Sequence, residues 1–302
     1  MELTSAKTIK NLLAARGIRP SRGLGQNFLI DKAAIRKIIE TAELQPDDTV
    51  LEIGPGLGVL TQELAKMAKK VVAVEKDRNM VEIMKETLKD FKNVDVIYGD
   101  ILRFNIRESD SLSNLSGSPT PVSRTSQISK VVGNLPFYLT AHLIRQLLER
   151  TEDGPLYAVL VVQKEVGQRI CAKPPDTGTS RAGRGMNLLA VSVQFYAEPK
   201  IISYISKNSF WPSPEVDAAI LKIQNTRYQI PDTNRDLFFK IVKAGFSHPR
   251  KQLINNLSLG LDMEKEKTGE WLFENGIQPN QRAETLSIDH WRNLTKSFKI
   301  KE

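Results

Sequence analysis

Four short segments carry residues whose types and spacing suit chemistry. Gly54, Gly56 and Gly58, in "LEIGPGLGVLT", follow a β-branched apolar run and open a helical one. Glycines let the backbone turn tightly and approach a ligand, and the N-terminus of the following helix favours a negative group. The spacing is G-x-G-x-G, not the G-x-G-x-x-G of dinucleotide binders. Taken alone, the loop also fits a tight turn without a ligand. Glu75 ends the next strand-like run, where a carboxylate can accept both hydroxyl protons of a ribose. Asp100 ends a third run and can accept from the exocyclic amine of a base. Asn134-Leu135-Pro136-Phe137 directly follows a fourth run, "KVVG". The lone pair of such an amine is delocalised into the ring, so the nitrogen is a poor nucleophile. The Asn134 side-chain oxygen and the Leu135 carbonyl can hold its two hydrogens and aim the lone pair at an electrophile, which is a positioning effect. Pro136 turns the chain, and Phe137 offers an aromatic face to a base taken out of its stack. This chemistry needs no metal, and the scattered His142, His248 and His290 suggest no metal site.

These residues need a scaffold that brings strand ends together. "DKAAIRKIIETAEL" has helical spacing with Asp31 as N-cap. Strand patterns at Thr49–Gly54, Lys70–Glu75 and Val94–Asp100 alternate with helical ones at Gly58–Ala68 and in "DRNMVEIMKETLKDF". "KVVGNLPF" and "YAVLVVQKEV" read as a fourth and a fifth strand, with the helix "TAHLIRQLLER" between them. Such alternation implies βαβ units and a mainly parallel sheet, whose ligands bind beyond the carboxyl ends of the strands. "LLAVSVQFYA" and "AAILKI" read as two further strands forming an antiparallel hairpin at one sheet edge. From about Ile230 four helical patterns follow without a strand. The expected organisation is an α/β domain over 1–228 and a small all-helical domain over 229–302. Residues 105–130, with eight serines and two prolines, read as a surface loop, and "KPPDTGTSRAGRG" (173–185) as a basic loop.

The chain has 302 residues, 43 Lys+Arg against 35 Asp+Glu, and a formal net charge of +8. A 40% hydrophobic share supports a core and excludes wholesale disorder and collagen. No stretch approaches the roughly 18 apolar residues of a membrane helix. The N-terminus lacks a secretory pattern; its basic, amphipathic character leaves an organellar transit peptide as the minor alternative to a cytoplasmic protein. A single cysteine, Cys171, rules out an internal disulfide scaffold and fits a reducing compartment. The surplus charge points to a polyanionic partner. Residues 1–30 hold five cations against Glu2, like a basic arm. Arg16, Arg19 and Arg22 in this arm, Lys164 and Arg169 in "QKEVGQRI", Arg181 and Arg184 in the basic loop, and Arg250 and Lys251 before a late helix are candidates for phosphate contacts. Each also fits an ordinary solvated face.

The glycine turn, Glu75 and Asp100 resemble the S-adenosylmethionine site of Rossmann-like class I methyltransferases. "NLPF" resembles the N/D-P-P-Y/F motif of enzymes that methylate exocyclic amines. "GQNFLID", "LEIGPGLGVLT", "NLPF", "QKEV", "FWPSPEVDAA", "PRKQLINNLS" and "RAETLS" occur in this order from about Arg22 to about Trp291. In this the chain resembles the KsgA family of small-subunit ribosomal RNA adenine dimethyltransferases. The resemblance implies that two adjacent adenines near the 3′ end of 16S rRNA, in the small subunit or its precursor, each receive two methyl groups from S-adenosylmethionine. It also implies that Asn27, Leu29, Gly54, Gly56, Glu75, Asp100 and Asn134 line the cofactor site. Phe210 in "FWPSP" matches an aromatic that packs the target base, though Phe210 and Trp211 beside Pro212 and Pro214 fit hydrophobic core as well. The family usually has an aromatic where Leu24 stands and Tyr where Phe137 stands; the second change keeps the stacking face. Nothing demands more than a monomer. Rival readings are a large-subunit adenine methyltransferase of the macrolide-resistance type, a non-catalytic ribosome-assembly or transcription factor on the same fold, and a nicotinamide dehydrogenase.

Overall fold

The computed structural model describes residues 1–21, 23–104, 128–136, 140–150, 157–175, 185–225 and 232–298. Arg22, Phe137, Arg181, Arg184 and most of the serine-rich stretch lie outside the described residues. The chain divides into two compact units, one of Met1–Gly167 with Pro199–Asn225, the other of Gln168–Glu198 with Thr226–Glu302.

The first unit opens with α1 (Ala6–Ala14), β1 (Phe28–Leu29) and α2 (Lys32–Ala42). Then come β2 (Thr49–Ile53), α3 (Val59–Ala65), β3 (Lys70–Glu75), α4 (Arg78–Thr87) and β4 (Val94–Tyr98). β5 (Lys130–Asn134), α5 (Thr140–Arg150), β6 (Tyr157–Gln163) and the start of α6 (Lys164–Ile170) follow. α7 (Leu188–Gln194) lies in the second unit; β7 (Ala197–Ile205), β8 (Phe210–Trp211) and β9 (Ala218–Asn225) then complete the sheets.

A seven-stranded sheet has the order β4-β3-β2-β5-β6-β9-β7. β2 pairs in parallel with β3 and β5, β3 with β4, and β5 with β6, while β9 runs antiparallel to β6. The carboxyl ends of β2 to β6 therefore share one edge. The inner strands read as unbroken apolar runs because parallel strands are covered on both faces. On one side Ile35 and Ile38 of α2 and Leu60 and Leu64 of α3 pack with Val50, Val71, Val132 and Val159. Asp31 and Asp77 cap α2 and α4 by accepting backbone N–H groups, worth about 1 kcal/mol each. A two-residue ladder joins β1 to β8, with Leu29 opposite Phe210.

Three expectations are corrected. The basic arm is largely the helix α1, whose Ile9, Leu12 and Leu13 are buried with Phe28, Leu57, Met80 and Ile83. The "YAVLVVQKEV" strand stops at Gln163, and Lys164 starts a helix. "LLAVSVQFYA" is mostly α7, begun by Asn187, whose side chain accepts from the Ala190 N–H. The edge strand β7 comes after it.

The second unit contains α8 (Asp232–Gly245), α9 (Leu253–Leu261), α10 (Lys265–Glu274) and α11 (Ile288–Ser297). Its core joins Ala190, Val191 and Phe195 to Phe238, Leu257, Trp271 and Trp291. Residues 168–198 thus pack with the late helices, and the units divide differently from the expected boundary at 228/229 because α7 buries its apolar face there.

Candidate active site

A cavity lies in the first unit, at the carboxyl ends of β2, β3 and β5. Its lining includes Asn27, Leu29, Gly54, Gly56, Glu75, Asp100 and Asn134, together with Pro136. The structure therefore brings together every residue expected at the cofactor. Gly54, Gly56 and Gly58 all have positive φ, at 66°, 58° and 89°, in the left-handed region that side chains disfavour. At Gly56 a Cβ would also come within 3.2 Å of the Phe28 ring. The turn is thus backbone pressed against an aromatic wall, with open space on its other side.

Glu75 is 8% exposed. One carboxylate oxygen accepts the Gly56 N–H at 3.0 Å and the other the Asp77 N–H at 2.8 Å. Burial pushes its pKa up, and these backbone donors oppose the shift. Each oxygen keeps a second lone pair, as a ribose diol requires. Asp77, in turn, accepts from the Gln26 side-chain amide at 2.7 Å, which fixes the entry segment before β1. Asp100 lines the cavity, but its carboxylate is engaged: Lys76 donates to it at 2.9 Å and the Leu102 N–H at 3.1 Å. The Lys76 ammonium is the main reason its pKa is lowered.

Asn134 is the last residue of β5. Its side-chain amide donates to the Asn27 carbonyl at 3.0 Å. That bond uses one of the two amide N–H groups and fixes which side of the amide carries the acceptor Oδ1. Leu135 is buried and donates its N–H to the Val161 carbonyl at 3.1 Å, so the tetrapeptide starts on the sheet's own ladder.

Phe210 is not brought to the cavity. It is 3% exposed, pairs with Leu29 and belongs to the core of α2 and α3. Its neighbour Trp211 stacks on Phe28 with ring centroids 6.4 Å apart. The core alternative for this pair is the arrangement observed.

The candidate phosphate contacts divide. Arg16 forms an ion pair with Glu86 of α4 and donates to the Leu12 carbonyl. Lys164 lies 3.7 Å from Asp217 and 5.2 Å from the Tyr204 ring. Arg19, Arg169, Arg250 and Lys251 are exposed, and the last two precede α9.

Two contributions to the cavity were missed in the sequence. Leu3 and Ile9, from the N-terminal segment, form part of its wall; the apolar spacing Ile9, Leu12, Leu13 is the signal. Glu52, the last residue but one of β2, also lines it, although it is 1% exposed. A charge inside the apolar run "TVLEIG" marks it. Desolvation pushes its pKa up to about 8. Among the described residues no three His, Cys, Asp or Glu side chains are grouped to hold a metal ion. No helix among them is long and apolar enough to cross a membrane.

The donor set fits an adenosyl amino acid: backbone amides, a buried carboxylate for a diol, a cradle only glycine fills, and an unpartnered buried carboxylate oxygen on Glu52. Comparison with known proteins agrees. The chain is 39% identical over 286 residues to a ribosomal RNA small subunit methyltransferase A of Dehalococcoides mccartyi, covering 94% of this chain and 90% of that protein. A protein of that name from Alkaliphilus metalliredigens is 37% identical over 304 residues, covering 100% and 99%. The crystal structure of the 23S rRNA methyltransferase ErmE superimposes with a TM-score of 0.66 at 24% identity, covering 89% of this chain and 98% of that one, which shows a common fold. The family model of ribosomal RNA adenine dimethylases matches residues 19–299, and the chain belongs to that family.

Proposed function

We propose that the protein dimethylates N6 of two adjacent adenosines near the 3′ end of 16S rRNA, in the small ribosomal subunit or its precursor. It acts in the cytoplasm as a monomer, since one copy carries every group the reaction uses. The observation that carries this reading is Asn134 at the cavity, its amide oriented by an N–H donated to the Asn27 carbonyl.

S-adenosylmethionine, the methyl donor, supplies an electrophilic sulfonium methyl whose leaving group is a neutral thioether. The glycine turn cradles the donor's amino-acid end, Glu75 holds the ribose hydroxyls, and Asp100, steadied by Lys76, marks the adenine end. Asn134 Oδ1 and the Leu135 carbonyl accept the two hydrogens of the target amine. Its lone pair then points at the methyl group, so catalysis is mainly positioning. The amine sheds one proton to solvent after each transfer, and rebinding of donor allows the second. Phe137 stacks on the extruded base. Phe210, in the core, supports this wall by holding β1 through Leu29.

RNA affinity comes from exposed cations, Arg19, Arg169, Arg250 and Lys251, which hold phosphate without reading sequence. The small-subunit reading is favoured over the large-subunit one because relatives named as small-subunit enzymes are 37–39% identical over nearly the whole chain, against 24% for the 23S rRNA methyltransferase. The test supplies the protein and donor with unmethylated small subunits and, separately, with large-subunit RNA. Dimethyladenosine in the small subunit alone is expected; modification of the large-subunit RNA alone would favour the macrolide-resistance type. Neither product, with no donor binding by calorimetry, would favour a non-catalytic assembly factor.

A further inference from the structure

One ionisable group in the cavity has no role in the reaction just described. Glu52 is the last residue but one of β2, 1% exposed, between Ala73 of β3 and Val132 of β5. Its Oε2 has no hydrogen-bond partner among the described residues. The polar groups acting on it are Thr61 of α3, which is neutral, and Glu75 of β3, which carries the same sign of charge. The remaining charges of the lining, Lys76 and Asp100, neutralise each other at 2.9 Å. Among the described residues no cation therefore compensates Glu52, and an isolated buried carboxylate takes up a proton rather than stay charged.

The methyl donor carries an ammonium, a carboxylate and a sulfonium, a net charge of +1. Its thioether product has lost the sulfonium and is neutral overall. A carboxylate free to ionise inside the cavity interacts differently with the two, and low polarity amplifies the difference.

We propose that Glu52 is a specificity-determining residue for the methyl donor: it holds a proton in the empty cavity, releases it to solvent when the cationic donor enters, and takes one back when transfer leaves the neutral thioether. The proposal rests on the reading of this cavity as the donor site. Its consequence is that donor binding is favoured over product binding, which eases product exchange between the two methylations of one adenine. During transfer the sulfur–methyl bond breaks and a nitrogen–methyl bond forms, and the amine proton passes to solvent. Glu52 only exchanges its own proton with solvent.

The test is calorimetry of the wild type and Glu52→Gln at pH 7, in two buffers of different ionisation enthalpy, with S-adenosylmethionine and with S-adenosylhomocysteine. For the wild type, donor binding releases close to one proton and product binding clearly less, with donor preferred about tenfold. Glu52→Gln releases none and loses the preference. Proton release by Glu52→Gln equal to wild type, or equal release with both ligands, overturns the proposal. As a check that needs no variant, wild-type donor affinity rises with pH between 6 and 7.5 more steeply than product affinity; equal slopes count against it. Donor binding without proton exchange overturns this inference alone, whereas no binding of either ligand overturns the donor-site reading as well.

Discussion

The hydrogen bond from Asn134 to the Asn27 carbonyl ties the end of β5 to the segment before β1 and sets which way the Asn134 amide faces. Glu75 works alongside it on the ribose side. Glu75→Gln loses an anionic acceptor and weakens donor binding by about 10- to 100-fold, the worth of a hydrogen bond to a charged group; a dissociation constant within twofold of wild type would contradict its role. Gly56→Ala places a Cβ at 3.2 Å from Phe28 on a residue at φ 58°. It lowers stability by about 1–2 kcal/mol and weakens donor binding further, as thermal unfolding with and without donor would show. Glu52 links stability to pH. Its pKa rises from 4.5 to about 8 in the fold, so the folded state binds more protons across that window and stability falls as pH rises through it. The loss by pH 8 is on the order of a few kcal/mol. Glu52→Gln lacks this titration, so denaturant unfolding at pH 5.5 and 8 gives it the shallower decline. The residue types pointed to Glu75 and Asn134 because strand-end polar groups stand out in a sequence. They did not reveal that Lys76 occupies the Asp100 carboxylate or that Phe210 is core, since both depend on neighbours distant in the chain.

Among the elements, the parallel strands and α5 were readable as bounded apolar runs, and Lys70–Glu75 and Thr140–Arg150 match their expected limits. The failures came where local composition conflicts with tertiary burial. The β-branched Val191 and Val193 suggest a strand, yet Asn187 caps a helix that buries Ala190, Val191 and Val193. Asn187→Ala removes that cap and costs about 1 kcal/mol, seen as a lower unfolding midpoint. The N-terminal segment is rich in cations, yet Ile9, Leu12 and Leu13 bury one face of α1, and Ile9 forms part of the cavity wall.

For the molecule as a whole, the net charge of +8 divides between used and available cations. Arg16 and Lys164 are engaged with Glu86 and Asp217. Arg250 and Lys251 are exposed. Replacing both by Ala weakens binding to small subunits, reduces the slope of log affinity against log salt by about 1–2, and leaves donor affinity unchanged. An unchanged slope would remove them from the RNA surface. The positioning of an adenine amine by Asn134 is tested most directly by mass-spectrometric mapping of unmethylated small subunits treated with donor and either wild type or Asn134→Ala. Dimethyladenosine at two adjacent positions is expected with the wild type, and with Asn134→Ala a rate lower by on the order of 10²-fold. Asn134→Ala producing dimethyladenosine at the wild-type rate would contradict it.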